Sequence, residues 1–384
     1  MRAFDGATPV EDILAYVDHV RATSALRDDL VGLLREQAPI YAGRSANEAE
    51  RIRGYLLASF ETTGLPPAAV DYVLEELESG LNPYAVAAAA KAMRGAHAIP
   101  EQAVPLLLKA IDRIRLSDDF VGFERDAAGR SGRTSTTALM ELFRTLAWLG
   151  PRAGAALGDL QAMIDPEAAA FALAVRLEIE KAIAAVSQLD SPAASCCASQ
   201  SSSRPAESAA CPASSPLPEV DIGDVELQDQ NGAVLSFGEF FFGRPGVMTF
   251  FYTRCMNPEK CSLTITKLAR LQRRICEQQL QGRVNIAAVT YDPVFDLPRR
   301  LHAYGTDRGM TFDERNRMLR TTGAFDPFRR SFDLGVGYGT VTVNRHRREL
   351  LVLNDKGYAA ATFPRMLWHE EEVFGALKSL LAPP

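Results

Sequence analysis

The residues best placed to do chemistry lie in one stretch, Cys255-Met-Asn-Pro-Glu-Lys-Cys261, directly after the apolar run Val247-Met-Thr-Phe-Phe-Tyr252. Two thiols at the mouth of a buried strand, the second opening a helical pattern, suit redox or metal chemistry. A helix starting at Cys261 would stabilise its thiolate through the positive end of the dipole, so its pKa is expected to be lowered. Pro258 keeps that helix from starting earlier, which leaves Cys255 on the loop. On a continuous helix, positions i and i+6 lie about 240° apart at ~100° per residue, so convergence of the two sulfurs needs a looped-out insert. The alternative reading is two small apolar side chains near a strand end; polar Asn257, Glu259 and Lys260 between them favour chemistry.

His346, far downstream, separates the chemical readings. Two thiolates and one imidazole form a soft donor set suited to Cu(I) and able to accept Cu(II). Simple dithiol exchange needs no histidine. Asp292 is a candidate for orienting a ligand from behind, or an ordinary strand-end acid before Pro293. Cys276, beside Ile275, is expected in the core. His19, His97, His302 and His369 lack ligand-spaced partners and belong at surfaces or helix ends. Cys196, Cys197 and Cys211 lie in a separate polar segment, where they could pass metal on, resolve a disulfide or simply be tolerated. No Cys-x-x-Cys pair, phosphate-binding loop, glycine-rich dinucleotide motif or HExxH zinc motif occurs.

The elements that must hold these residues follow from periodicity. After 217 the chain reads as α/β. Val225–Asp229 and Ala233–Phe237 form a hairpin turning at Asn231-Gly232, and Val247–Tyr252 is a buried strand. Ser262–Gln279 is a helix with Ile265, Leu268, Leu271 and Ile275 inward. Val284–Thr290 is a second buried strand, and Leu297–Arg308 a helix. Glu349–Leu353, a turn at Asn354-Asp-Lys-Gly357 and Tyr358–Phe363 make a second hairpin, and Glu370–Leu381 closes as a helix. This is the thioredoxin order. The first 188 residues are helical instead. One or two short helices cover 1–40, with Ile13, Tyr16, Val17 and Val20 on one face. A capping box at Ser45-Ala-Asn-Glu48 opens the next helix, and further helices follow near 66–80, 83–94, 101–116, 135–149, 152–163 and 167–187. A loop spans 117–134. Paired-helix turns such as Thr145–Leu157 predict a HEAT-like layer.

The 384 residues, 47% hydrophobic and 23% charged, suit a soluble chain of two or three domains. A net charge of −6 argues against nucleic-acid binding. No apolar run is long enough for a membrane helix, and the acidic N-terminus lacks a signal-peptide core, so a cytoplasmic location is expected. The predicted division is a helical domain over 1–188, a flexible Ser/Ala/Pro/Cys linker over 189–217 and a thioredoxin-like domain over 218–384.

The C-terminal region, about 225–380 or two fifths of the chain, resembles the Sco/SenC family of thioredoxin-fold copper chaperones. The resemblance rests on Phe250-Phe251 ending the strand, Thr253 two residues before Cys255, and Cys261-Ser-Leu-Thr-Ile-Thr-Lys-Leu opening the helix. Val289-Thr-Tyr-Asp292-Pro293 with Leu297-Pro298, and His346 before Leu350–Leu353 and the Asn354–Gly357 turn, add to it. The resemblance implies copper as the metal, Cys255, Cys261 and His346 as ligands, and Asp292 as an orienting residue. Three departures accompany it: five residues, not three, separate the cysteines; Arg347 and Arg348 follow the histidine in place of small or apolar residues; and the membrane anchor that the resemblance implies is not seen in the sequence. Three functions stay open. One is a copper-binding protein that delivers copper, or keeps a client's copper-ligand thiols reduced, with the client docked on the helical domain. The second is a metal-independent thiol-disulfide oxidoreductase or peroxidase-like redoxin in which Cys255 attacks and Cys261 resolves. The third is a helical-repeat interaction protein with an inactive α/β domain.

Overall fold

The computed structural model describes residues 4–23, 26–124, 136–165, 171–188 and 222–381. The chain divides into two compact units, Met1–Pro205 and Ala206–Pro384. The linker expected at 189–217, with Cys196, Cys197 and Cys211, lies outside the described residues.

The first unit is helical. Its helices are α1 Val10–Thr23, α2 Arg27–Leu34, α3 Ala46–Thr63, α4 Val70–Ser79, α5 Pro83–Met93, α6 Ala103–Ile114, α7 Ala138–Leu149, α8 Leu157–Ile164 and α9 Leu173–Val186. The capping box forms as read: Ser45 Oγ accepts from Glu48 N at 3.3 Å, and Glu48 Oε2 accepts from Ser45 N at 3.1 Å. Alternate helices pack side by side, α1 on α3, α3 on α5, α5 on α7 and α7 on α9, while α4 covers α5 and α6. The fully buried alanines of α5, Ala85, Ala87 to Ala90 and Ala92, let its neighbours approach closely at the centre of this row. Arg53 of α3 is fully buried and meets Glu36 at 3.3 Å, Glu75 at 3.6 Å and Glu76 at 3.0 Å. An isolated buried guanidinium would be strongly unfavourable, so these carboxylates are a condition of the packing. β1 Phe120–Val121, in the region expected as a loop over 117–134, pairs with β2 Thr136–Thr137 just beyond it. Among the described residues no helix is long and apolar enough to cross a membrane.

The second unit is a seven-stranded mixed sheet with helices on both faces. In chain order it comprises β3 Glu226–Asp229, β4 Val234–Ser236, α10 Phe237–Phe241, β5 Gly246–Phe251, α11 Leu263–Glu277, β6 Asn285–Thr290, α12 Pro298–Thr306, β7 Asn316–Thr321, α13 Asp326–Ser331, β8 Val336–Tyr338, β9 Val343–His346, β10 Glu349–Leu353, β11 Ala359–Pro364 and α14 Glu370–Leu381. The sheet order is β11-β10-β5-β6-β7-β3-β4, with β5, β6 and β7 parallel; β8 and β9 form a separate hairpin. All six residues of β5 are buried, as a central strand covered on both faces requires. Its alternation splits the core: Val247 and Phe251 join α11 and α14, while Met248 and Phe250 join Phe237, Phe241 and Phe328. Ile265, Leu268, Leu271 and Ile275 of α11 are all buried, each contributing roughly 1.5–3 kcal/mol. Gly232 at φ 87° and Gly357 at φ 81° supply the left-handed backbone that the two expected hairpins need.

The strand–helix–strand–helix–hairpin–helix order is present as read. Four elements go beyond that reading: the short α10, which opens at Phe237 where a strand was expected, the third parallel strand β7, the short α13 and the β8–β9 hairpin. β7 reads Asn-Arg-Met-Leu-Arg-Thr, and its two arginines mask the apolar residues. Arg317 is held by Asp229 Oδ2 at 2.8 Å, which allows a charged side chain in this strand.

Candidate metal centre

Cys255 lies on the loop leaving β5, Cys261 in the turn before α11, and His346 is the last residue of β9. They start from three separate elements and meet at one point. His346 Nε2 is 3.5 Å from Cys255 Sγ and 3.5 Å from Cys261 Sγ. The three donor atoms all lie within 4.8 Å of one another. Thiolate and imidazole bonds of about 2.3 and 2.0 Å to a common trigonal ion would set sulfur and nitrogen about 3.7 Å apart. Both sulfur–nitrogen edges, at 3.5 Å, are therefore already close to that spacing.

The five-residue gap is accommodated by a wide turn. Pro258–Ser262 winds as a π-type helix with Lys260 off helical geometry at φ −103°, ψ −105°. Asn257 caps the turn by accepting from Glu259 N at 2.9 Å. The extra length is taken up before α11 begins at Leu263, and Cys261 turns inward. Lys260 Nζ donates to His346 O at 3.3 Å, and Arg348 donates to Glu259 O at 3.1 Å and Arg365 O at 3.0 Å. Arg348 and Lys260 thus tie the histidine strand to the cysteine turn. His346 Nδ1 lies 3.1 Å from Arg347 O. In the neutral ring, an Nδ1–H donating to that carbonyl leaves the Nε2 lone pair facing both sulfurs.

The two thiols are not equivalent. Cys261 is 1% exposed and His346 7%, whereas Cys255 is only partly buried. The hydrogen bond from Cys261 holds the Cys255 thiol well below its ordinary range, and the contact with the His346 ring adds to this. Burial pushes the Cys261 thiol up, and the neighbouring Cys255 pushes it further. The acidity expected at Cys261 therefore sits on Cys255. Cys261 lies inside the wide turn rather than at the N-terminus of α11, and desolvation outweighs any dipole contribution there.

Asp292 does not reach the three donors directly. Its Oδ2 accepts from Arg254 Nε at 3.0 Å and Nη2 at 2.5 Å, so it holds the residue preceding Cys255. Arg254 also donates to Val341 O at 3.1 Å and lies 4.1 Å from the Phe295 ring centroid. The carboxylate that fixes the loop from within is Asp296, which the sequence reading passed over. Fully buried, it accepts from Thr253 N at 3.0 Å, from Thr253 Oγ1, and from Thr290 Oγ1 at 2.5 Å. Its spacing from Asp292, before Leu297-Pro298, is the one sequence signal for it. A second missed set supports the histidine side. Tyr291 OH donates to Glu349 Oε2, and Glu349 Oε1 accepts from Arg347 Nε at 2.5 Å and Gly335 N at 2.9 Å. Cys276 is exposed, not in the core as expected, because it falls off the buried Leu271–Ile275 face of α11. His19, His97, His302 and His369 are at the surface as read.

The SCO1/SenC family model matches residues 217–381. No curated protein matches the chain. Among solved structures, a SCO1/SenC family lipoprotein from Bacillus anthracis str. Ames is 20% identical with a TM-score of 0.36, over 41% of this chain and 92% of its own. Bradyrhizobium japonicum ScoI with copper bound is 21% identical with a TM-score of 0.33, over 41% of this chain and 96% of its own. Arabidopsis thaliana ScoI with copper bound is 18% identical with a TM-score of 0.34, over 42% of this chain and 98% of its own.

Proposed function

We propose that the SCO1/SenC region of this chain binds copper through Cys255, Cys261 and His346 and delivers it to a client protein. The observation that carries this reading is the convergence of two sulfurs and one imidazole nitrogen, 3.5 Å apart across each sulfur–nitrogen edge. Two soft thiolates and a borderline imidazole in a largely buried pocket prefer Cu(I), and a partly exposed Cys255 leaves the side by which an ion is exchanged. The chain's residues do the holding: Asp296 fixes the loop carrying Cys255, the wide turn aims Cys261, and Arg347 O sets the ring of His346. In this proposal the helical layer, read from the sequence as HEAT-like, docks the client.

A second reading draws on the unequal thiols. The Cys255 thiolate would attack a client disulfide, forming a mixed disulfide and releasing one client thiol. Cys261 would then attack Cys255, releasing the second thiol and leaving a Cys255–Cys261 disulfide, with two electrons passed to the client. This reading makes no use of Nε2 of His346, which the structure places between both sulfurs, so the copper reading is preferred.

Cu(I) titration of the reduced protein against a competing chelator decides between them. One Cu(I) per chain is expected in the wild type, with binding lost in Cys255→Ser and weakened in His346→Ala by the 10–100-fold range typical of damaged metal sites. Unchanged affinity in His346→Ala would remove the histidine from the site. Disulfide reduction that proceeds at full rate in His346→Ala without copper would establish the redox reading instead.

A further inference from the structure

The five-residue gap does more than lengthen the loop. It places Met256 directly after the more exposed ligand, and Met256 is 89% exposed. Its neighbours are fixed: Cys255 N donates to Tyr252 O at 3.3 Å, Lys260 N donates to Asn257 O at 3.1 Å, and Asn257 caps the turn. The frame on both sides thus holds Met256 outward, and it belongs to neither apolar core of the unit. A Leu or Val there would satisfy the same packing, which is none. The distinguishing property of methionine is a soft thioether on three rotatable bonds. Adjacent Cα atoms are about 3.8 Å apart, so that sulfur lies within a side-chain swing of an ion on Cys255.

Resting on the copper reading, we infer that Met256 supplies a transient thioether ligand to Cu(I) on the solvent side of Cys255, and that the ion enters and leaves through it. With Cys261 and His346 buried, the face of the donor triangle beside Cys255 is the open one. An incoming or departing Cu(I) there meets Met256 before bulk water. Exchange then proceeds by ligand replacement, thioether for thiolate, with no change of oxidation state; the proton that Cys261 gives up to solvent when the ion binds returns to it when the ion leaves.

The test uses the reduced full-length chain loaded with Cu(I), extraction of the ion by excess chelator followed in a stopped-flow instrument, and the Met256→Leu variant. Leucine keeps the size and apolar character and removes only the sulfur; matching unfolding midpoints check that the fold is intact. Met256→Leu is expected to slow extraction roughly tenfold, about 1.4 kcal/mol of barrier, while the equilibrium affinity stays unchanged. Equal extraction rates in the two proteins would overturn the inference and leave the copper reading standing. Faster extraction with weaker affinity would also overturn it, since Met256 would then be a permanent ligand. Failure of the wild type to take up Cu(I) would overturn the copper reading and this inference together.

Discussion

At Cys255 the decisive quantity is which proton leaves first. Two thiols this close cannot both ionise easily, so the pair divides into one thiolate and one thiol. The thiolate falls on Cys255, which receives the Cys261 hydrogen bond and is the better solvated; Cys261 stays protonated in the buried wall. A depressed acid pKa means the thiolate persists as pH falls. Alkylation of Cys255 by iodoacetamide is therefore expected to be nearly flat from pH 8 down to pH 5. An ordinary thiol, with a pKa near 8.5, loses about tenfold per pH unit below that value. Peptide mapping should show Cys261, in the buried wall, unmodified. Cys261→Ala removes the donor and is expected to shift the Cys255 profile to higher pH. A wild-type Cys255 profile that falls tenfold per unit below pH 8 would refute the assignment.

The loop after β5 is only as well placed as the carboxylate beneath it. Asp296 joins the end of β6, through Thr290, to the start of the cysteine loop, through Thr253. Burial raises its pKa despite these three hydrogen bonds. Its charged form is thus held at a cost the bonds only partly offset. Asp296→Ala would strand the Thr253 amide and is expected to cost about 1–3 kcal/mol of stability in denaturant unfolding. Because Thr253 lies two residues before Cys255, the same change is expected to weaken Cu(I) binding, with Asp296→Asn intermediate in both measurements. Stability lost with unchanged affinity would mean that the loop holds its shape without this anchor. The three donors that the fold brings together were legible in the sequence, since residue type and strand–loop–helix context mark Cys255, Cys261 and His346 directly. Asp296 was not, because what distinguishes it from Asp292 is burial, a property of the fold rather than of its neighbours in sequence. The acidity of the pair was misplaced for a similar reason. Cys261 was read as the first residue of a helix, but the off-helical Lys260 delays the regular helix to Leu263 and buries the thiol. The strand β7 escaped because Arg317 and Arg320 break its apolar pattern, and the ion pair that shelters Arg317 comes from Asp229, distant in the chain.

At the scale of the molecule, the two units bury separate cores. One is built from alternate helices around the alanine face of α5, the other from both faces of a seven-stranded sheet. In the sequence, helical periodicity gives way to strand alternation, and each period needs a different partner surface to bury against. A core that closes on itself melts as its own cooperative unit, so the full chain is expected to unfold in two calorimetric transitions. The three donors all lie in the second unit. Cu(I) that binds the native site and not the unfolded chain should therefore raise one transition and leave the other in place. At a free concentration about a thousand times Kd the stabilisation is about 4 kcal/mol. For a unit of this size that corresponds to roughly 8–16 °C in Tm. His346→Ala should shrink the shift by the affinity it loses, about 1.4 kcal/mol for each tenfold, without moving the helical transition. A single transition that rises as a whole on adding Cu(I) would instead mean that the helical unit and the unit carrying the three donors fold as one.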